Sequence, residues 1–188
     1  MATADCHTGL AASRWLTRWA ALLPAGATVL DLACGSGRHA RWLAGQGYMV
    51  TAIDRDAAAV EALRGMPGVE VLVADLEGET WPLTNRRFDA VVVTNYLWRP
   101  TWPRLIESLH PNGLLIHETF NIDQASIGKP SNPAFLLEHG ELLEAAAGLQ
   151  VVAYENGFLA DPDRFVQRIA AIAVCAPDAS AQALRHPL

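Results

Sequence analysis

Apolar residues recur along this chain in two rhythms, one helical and one of short continuous runs. Trp15, Trp19, Leu22 and Leu23 fall on one side of a helical repeat, with Arg14, Thr17 and Arg18 on the other. That spacing predicts an amphipathic leading helix ending at Pro24. Runs that are apolar almost throughout follow at 28–33, 48–53, 69–74, 88–93 and 113–120. Helical stretches separate them at 38–46, 56–64 and 103–110, while 77–87 reads as loop. Buried-looking strands alternating with helices predict an α/β fold with a parallel sheet covered on both faces. A Pro/Asn/Gly-rich loop over 121–133 and a helix near 138–147 come next. Two long strands, 149–158 and 164–175, are separated by Asp161-Pro162-Asp163, a link short enough to favour an antiparallel pair. The chain reads as one domain over 1–188: a leading helix within 1–24, a core over 28–175 and a loose tail over 177–188.

Composition narrows the classes. With 51% hydrophobic and 18% charged residues the chain is ordinary globular protein. A formal net charge of -6 and the lack of any basic block give no support for nucleic-acid binding. The longest apolar runs, such as 169–176, are too short to cross a bilayer, and the N-terminal segment lacks a secretory pattern. Cys6, Cys34 and Cys175 are scattered, so neither a disulfide scaffold nor a metal site is expected, and a cytoplasmic location is the default. A single lysine, Lys129, in an alanine-rich chain reads as the codon bias of a GC-rich bacterial genome.

The candidate chemistry lies in 28-TVLDLACGSGRHA-40. Ligands of open parallel sheets sit beyond the carboxyl ends of the strands, so the residues just after each strand matter most. Gly35 and Gly37 let the chain turn sharply and approach a ligand closely. Asp54 follows the second strand, where a carboxylate can accept from both ribose hydroxyls. Asp75 follows the third, where it can accept from an adenine amino group while the N–H of Leu76 donates to the ring. Each has a plain alternative: a strand-to-helix turn, a helix cap at Asp54, a solvated loop residue at Asp75. A dinucleotide would suit Gly35, Gly37 and Asp54. Asp31, however, stands where it would repel a pyrophosphate and attract an ammonium group. S-adenosylmethionine therefore accounts for more of the pattern than NAD does.

With those residues in place, the sequence resembles the class I S-adenosylmethionine-dependent methyltransferases over roughly residues 28 to 175. Their glycine motif begins on an acidic residue, here Asp31, and passes through Ala33, Gly35 and Gly37, with Ala33 replacing the first glycine. The resemblance implies a Rossmann-like, doubly wound sheet of about seven strands whose last strand is antiparallel. It implies a cofactor site of Asp31, Ala33, Gly35, Gly37, Asp54, Arg55, Asp75, Leu76 and Asn95. The segment 128-GKPSNPAFLLEHGELL-143 is similar to the loop after the fifth strand in tellurite-resistance methyltransferases.

The methyl acceptor is expected beside 94–100 and 118–123, where Tyr96, Trp98 and Phe120 would wall the site and Arg99 would pair with an anion. Of the consecutive His117 and Glu118, one faces the pocket, and Glu118 is the expected one. Glu118 and Tyr96 are the candidate general bases for an amine or hydroxyl; a thiolate or oxyanion would need none. His139 and Lys129 read as surface residues. The expected activity is methyl transfer to a small molecule, a thiol, oxyanion or amine, with no nucleic-acid or membrane partner and the oligomeric state open. An NAD-dependent oxidoreductase and a non-catalytic S-adenosylmethionine-binding regulator are the alternatives.

Overall fold

The computed structural model describes residues 11–174. Within that span seven strands form one sheet: β1 (Thr28–Leu32), β2 (Met49–Asp54), β3 (Val69–Val73), β4 (Phe88–Thr94), β5 (Leu109–Phe120), β6 (Gln150–Leu159) and β7 (Arg164–Ile172). The order is β3-β2-β1-β4-β5-β7-β6. All pairs among the first five strands are parallel, while β7 runs antiparallel to both β5 and β6. The sheet order reverses at β1, whose neighbours are β2 and β4, and a ligand crevice is expected at such a switch point.

Period-two alternation divides the strands between two layers. Val29, Val50, Ala52, Ala90, Val92, Leu114 and Ile116 meet α1 (Arg14–Ala20), α2 (Arg38–Gly45) and α3 (Ala57–Val60) on one face. Leu30, Leu32, Ile53, Val91, Val93 and Leu115 meet Leu76, Leu83 and Leu105 on the other. Leu105 belongs to α4 (Trp102–Glu107). Beyond it α5 (Glu141–Ala145) packs Leu142 and Ala146 against Ile169 and Ala171 of β7. Each fully buried Leu or Val contributes roughly 1.5–3 kcal/mol relative to exposure.

Ser13 starts α1: its hydroxyl accepts the N–H of Trp15 at 3.1 Å and of Leu16 at 3.5 Å. Trp15 and Trp19 then pack edge to face, ring centroids 5.5 Å apart, against the sheet. The tail over 177–188 and the first ten residues lie outside the described span.

Several boundaries differ from the sequence expectation. The helix at 56–64 is α only over Ala57–Val60 and tightens to a 3-10 turn over Glu61–Leu63, because Gly65 and Pro67 offer it no continuation. The helix expected to reach 110 stops at Glu107. Leu109 already pairs with Phe88, so β5 begins four residues earlier than its apolar core, and the register shifts between Phe88 and Ala90. The helix near 138–147 shrinks to α5 behind a left-handed Gly140. No helix among the described residues is long and apolar enough to cross a membrane.

Candidate active site

The strand ends at β1, β2, β3, β4 and β5 open on one cleft of about 490 Å³. Ala33, Asp54, Arg55, Asp75, Leu76, Asn95, Tyr96 and Phe120 line it, together with Glu77, Thr119, Pro130 and Phe135. Asp31, Gly35, Gly37, Trp98, Arg99 and Glu118 stand outside that lining.

The glycine turn is a left-handed stretch: φ is 54° at Gly35 and 77° at Gly37, and Ala33 is held at 53°. Ala33 thus adopts a glycine-favouring conformation at the position where the methyltransferase motif has its first glycine. Asn95, at φ 53°, is a second strained residue on the cleft wall. Sparsely populated backbone of this kind costs about 1–3 kcal/mol and concentrates at functional sites. The turn is pinned from both sides. Asp54 accepts the N–H of Gly35 at 2.8 Å on one oxygen and that of Asp56 at 2.9 Å on the other. Arg41 donates to the Ser36 carbonyl at 2.7 and 2.9 Å. The cap of α3 is Asp56, not Asp54, since Asp56 accepts from Ala58 and Ala59. Asp75 accepts the Glu77 N–H at 2.9 Å through one oxygen. A carboxylate has about four acceptor sites, so Asp54 and Asp75 keep capacity toward the cleft.

Asp31 is the outlier. It is 1% exposed, neither oxygen has a hydrogen-bond partner, and Nδ1 of His39 is 4.0 Å away. Burial pushes its pKa up to about 7; the Ala40 N–H, not placed well enough to form a bond, and the Arg38 charge offset only part of that cost. The expected contact with a ligand ammonium is therefore not one made from the cleft surface. Asp31 lies beneath the first turn of α2, beside His39. His39 is held neutral, its pKa pulled down to about 3 by burial and by Arg38, while its Nδ1 meets Thr94 Oγ1 at 3.0 Å.

Two expectations for the acceptor side change. Glu118 and His117 do face opposite layers, but Glu118 turns under α1. It is 1% exposed, accepts from Ser13 Oγ at 3.1 Å, and lies 3.4 Å from Arg168 and 3.8 Å from Arg164. The carboxylate is thus held under α1, away from the cleft lining. Arg99, expected to meet an anion, is bound to Glu141 and to the carbonyls of Ala134 and Leu136. Tyr96 does line the cleft, yet burial first, then Glu77 and Asp75, raise its pKa, so its phenol stays protonated. His117 is buried with its pKa lowered to about 4 and its Nε2 is 3.4 Å from the Tyr96 carbonyl oxygen. Trp98 is 37% exposed and outside the cleft. His139 and Lys129 are exposed.

The residues that sequence reading passed over are Arg38, Arg164 and Arg168. Arg38 opens α2 directly after Gly37, and no hydrogen bond or ion pair holds it among the described residues. Burial lowers its pKa; Glu118 opposes the shift, and Arg164 adds to it. Arg164 keeps a buried Nε without a partner. The signal was present in the strand pattern: Arg164, Val166 and Arg168 share one face of β7, and Arg168 pairs in register with Glu118. No cluster of three potential metal ligands occurs among the described residues.

Known proteins agree with this geometry. Residues 29–112 match the family described as a methyltransferase domain. No curated protein matches the sequence. Among solved structures, TehB from Haemophilus influenzae superposes with a TM-score of 0.75 at 18% identity, over 88% of this chain. The chain spans 64% of that TehB chain's length. An S-adenosylmethionine-dependent methyltransferase from Methanosarcina mazei gives 0.68 at 18% identity, over 89% of this chain and 100% of its own. A TehB-like methyltransferase from Corynebacterium glutamicum gives 0.60 at 22% identity, over 86% and 87%. Domain match and sheet order point the same way: residues 29–112 match a methyltransferase domain, and the seven-stranded sheet has the fold of the S-adenosylmethionine-dependent methyltransferases it superposes on.

Proposed function

We propose that the enzyme methylates a small anionic acceptor, an oxyanion or a thiolate, and belongs to the TehB-like branch. The observation that carries this reading is a pair of guanidinium groups near the start of α2: Arg38, held by no hydrogen bond or ion pair among the described residues, and Arg164, whose buried Nε has no partner. Tyr96 is held protonated, His39 and His117 are buried and neutral, and Glu118 is bound to arginines. An amine or hydroxyl acceptor would arrive with a proton that none of these four groups is placed to remove; an anion arrives ready to attack.

The cofactor's fit rests on the orphaned Asp31 carboxylate and on the acidic cleft. Asp54 would accept from the ribose hydroxyls and Asp75 from the adenine amino group, with the Leu76 N–H donating to the ring. Asn95, Arg55 and the backbone of Ala33, Gly35 and Gly37 complete the cofactor site. The field of Asp31 would favour the methionyl ammonium, and Arg38 would take the methionyl carboxylate. When bound, S-adenosylmethionine supplies a methyl group on a positively charged sulfur. The residues then mainly align: Arg164 holds the acceptor anion, and Tyr96, Thr119 and Phe120 wall it from water. Alignment of this kind is worth roughly 7–11 kcal/mol in favourable cases.

Two measurements test this. Titration of the Arg38→Gln variant is expected to show S-adenosylhomocysteine affinity reduced about tenfold or more, the loss of one charge-assisted contact. Binding of 5′-methylthioadenosine, which lacks the amino-acid end, should be nearly unchanged. Equal losses for both ligands would remove Arg38 from the methionyl end. For the acceptor, S-adenosylhomocysteine release is followed with selenite, tellurite, small thiols and amines. Turnover of an anion, lost in Arg164→Gln with cofactor affinity intact, supports the reading. Preference for an amine refutes it, and tight cofactor binding without any turnover favours a regulator.

A further inference from the structure

Arg99 reaches from one wall of the cleft to the other. It follows the β4 end, whose Asn95, Tyr96 and Leu97 form one wall. Its guanidinium grips Glu141 through Nε and Nη2, the latter at 2.9 Å. Nη2 also donates to the Leu136 carbonyl at 2.9 Å and Nη1 to that of Ala134 at 3.2 Å. Glu141 in turn accepts the Glu138 N–H at 2.7 Å. The Ala134 and Leu136 carbonyls and the Glu138 N–H lie on the strap 128–138, which supplies the second wall through Pro130 and Phe135, and Glu141 opens α5 just beyond it. The strap's other end is held by the buried Gln124, which donates to the Lys129 carbonyl at 3.1 Å and accepts the Phe165 N–H at 2.8 Å. Leu136 and Leu137 are fully buried, and Leu137 exchanges backbone bonds with Phe120 and Ile122.

Between these fixed points Phe135 remains 51% exposed although it lines the cleft. About half of this large aromatic side chain is left uncovered by the protein, and that apolar face is available to whatever fills the cleft. Bidentate Arg–carboxylate pairing with two added carbonyl contacts fixes orientation as well as distance. We propose that the Arg99–Glu141 clasp sets the width of the cleft so that Phe135 closes over the bound ligand, making Arg99 and Glu141 positioning residues that act through Phe135. The proposal rests on the methyltransferase reading. Its functional value is exclusion of water while an anionic nucleophile loses its hydration shell.

The test uses S-adenosylhomocysteine as probe and stopped-flow measurement of its dissociation rate. Phe135→Ala is expected to speed dissociation about tenfold, and Arg99→Gln should do the same. The double variant should be no faster than Phe135→Ala alone, because the clasp works through that ring. Glu141→Gln, which keeps the side chain's shape, should shift the rate in the same direction and covers the case in which Arg99→Gln folds poorly. A clasp that is merely structural would lower the melting temperature and leave the dissociation rate at the wild-type value. That result, or effects of Arg99→Gln and Phe135→Ala that add, overturns the proposal. Wild-type protein that takes up no S-adenosylhomocysteine would overturn the methyltransferase reading and the clasp's role together.

Discussion

At pH 8 the Asp31→Asn protein is expected to melt several degrees above wild type, and at pH 4 alongside it. The folded carboxyl titrates near 7, against a reference of 3.8. Below 3.8 both states hold the proton and folding carries no charge penalty. As pH rises toward 7 the unfolded chain ionises first, so stability is lost progressively. Above 7 the whole cost of burying the charge is present, on the order of 4 kcal/mol. A buried asparagine amide without partners costs about as much as the equally unpartnered neutral carboxyl, so the two proteins match at low pH and the variant keeps most of that difference at pH 8. The groups that face Asp31 do not confuse the window: His39 titrates near 3 and the buried Cys34 thiol is pushed up to about 12, while Arg38 and Asp54 are its charged neighbours. Cofactor affinity should move the other way. A methionyl ammonium above the turn lowers the Asp31 pKa, so wild-type binding of S-adenosylhomocysteine at pH 7 should release a proton, detectable as a buffer-dependent binding enthalpy. Asp31→Asn should bind at least tenfold more weakly and release none. Matching melting curves at pH 8 would mean that Asp31 carries no such penalty.

This trade of stability for binding also marks the limit of what the sequence could reveal. The strands, their order of appearance and the antiparallel hairpin at the end were legible because sheet burial writes a continuous apolar run and a short link forbids a crossover. Asp54, Asp75 and Asn95 were legible for the same reason, since a residue just past a parallel strand reaches the strand mouths whatever the loop does next. The short helices were not, because their ends depend on tertiary competitors: β5 takes Leu109 from α4 by pairing it with Phe88. Nor was the fate of Glu118 and Arg99 legible. Period two says which face Glu118 takes, but not that Ser13 and two arginines wait there. Arg99 looked available only because Glu141 is 42 residues away along the chain. Charge partners brought together by the fold leave no local pattern: period two puts Arg164 and Arg168 on one face of β7, but does not say that Glu118 pairs opposite Arg168.

The two glycines of the turn should separate in their effects, and Gly37→Ala should be the more damaging change to the fold. Gly37 stands at φ 77°, and a Cβ there would lie 2.3 Å from one Leu63 methyl carbon and 2.6 Å from the other. Leu63 is fully buried against α2 and α3, so it has little room to retreat. Left-handed backbone costs an alanine about 1–2 kcal/mol, and overpacking a filled core adds about 1–3 kcal/mol. A total near 3 kcal/mol lowers the melting temperature of a chain this size by roughly 6–12 °C. Gly35, at φ 54°, has open space around the same position. Gly35→Ala should therefore lose only about the backbone penalty of 1–2 kcal/mol, yet straining the turn would disturb the Gly35 N–H bond to Asp54 and weaken S-adenosylhomocysteine binding severalfold. Urea melts and titrations of both variants decide the matter: if Gly37→Ala unfolds no earlier than Gly35→Ala, Leu63 is not the wall that requires glycine at the start of α2.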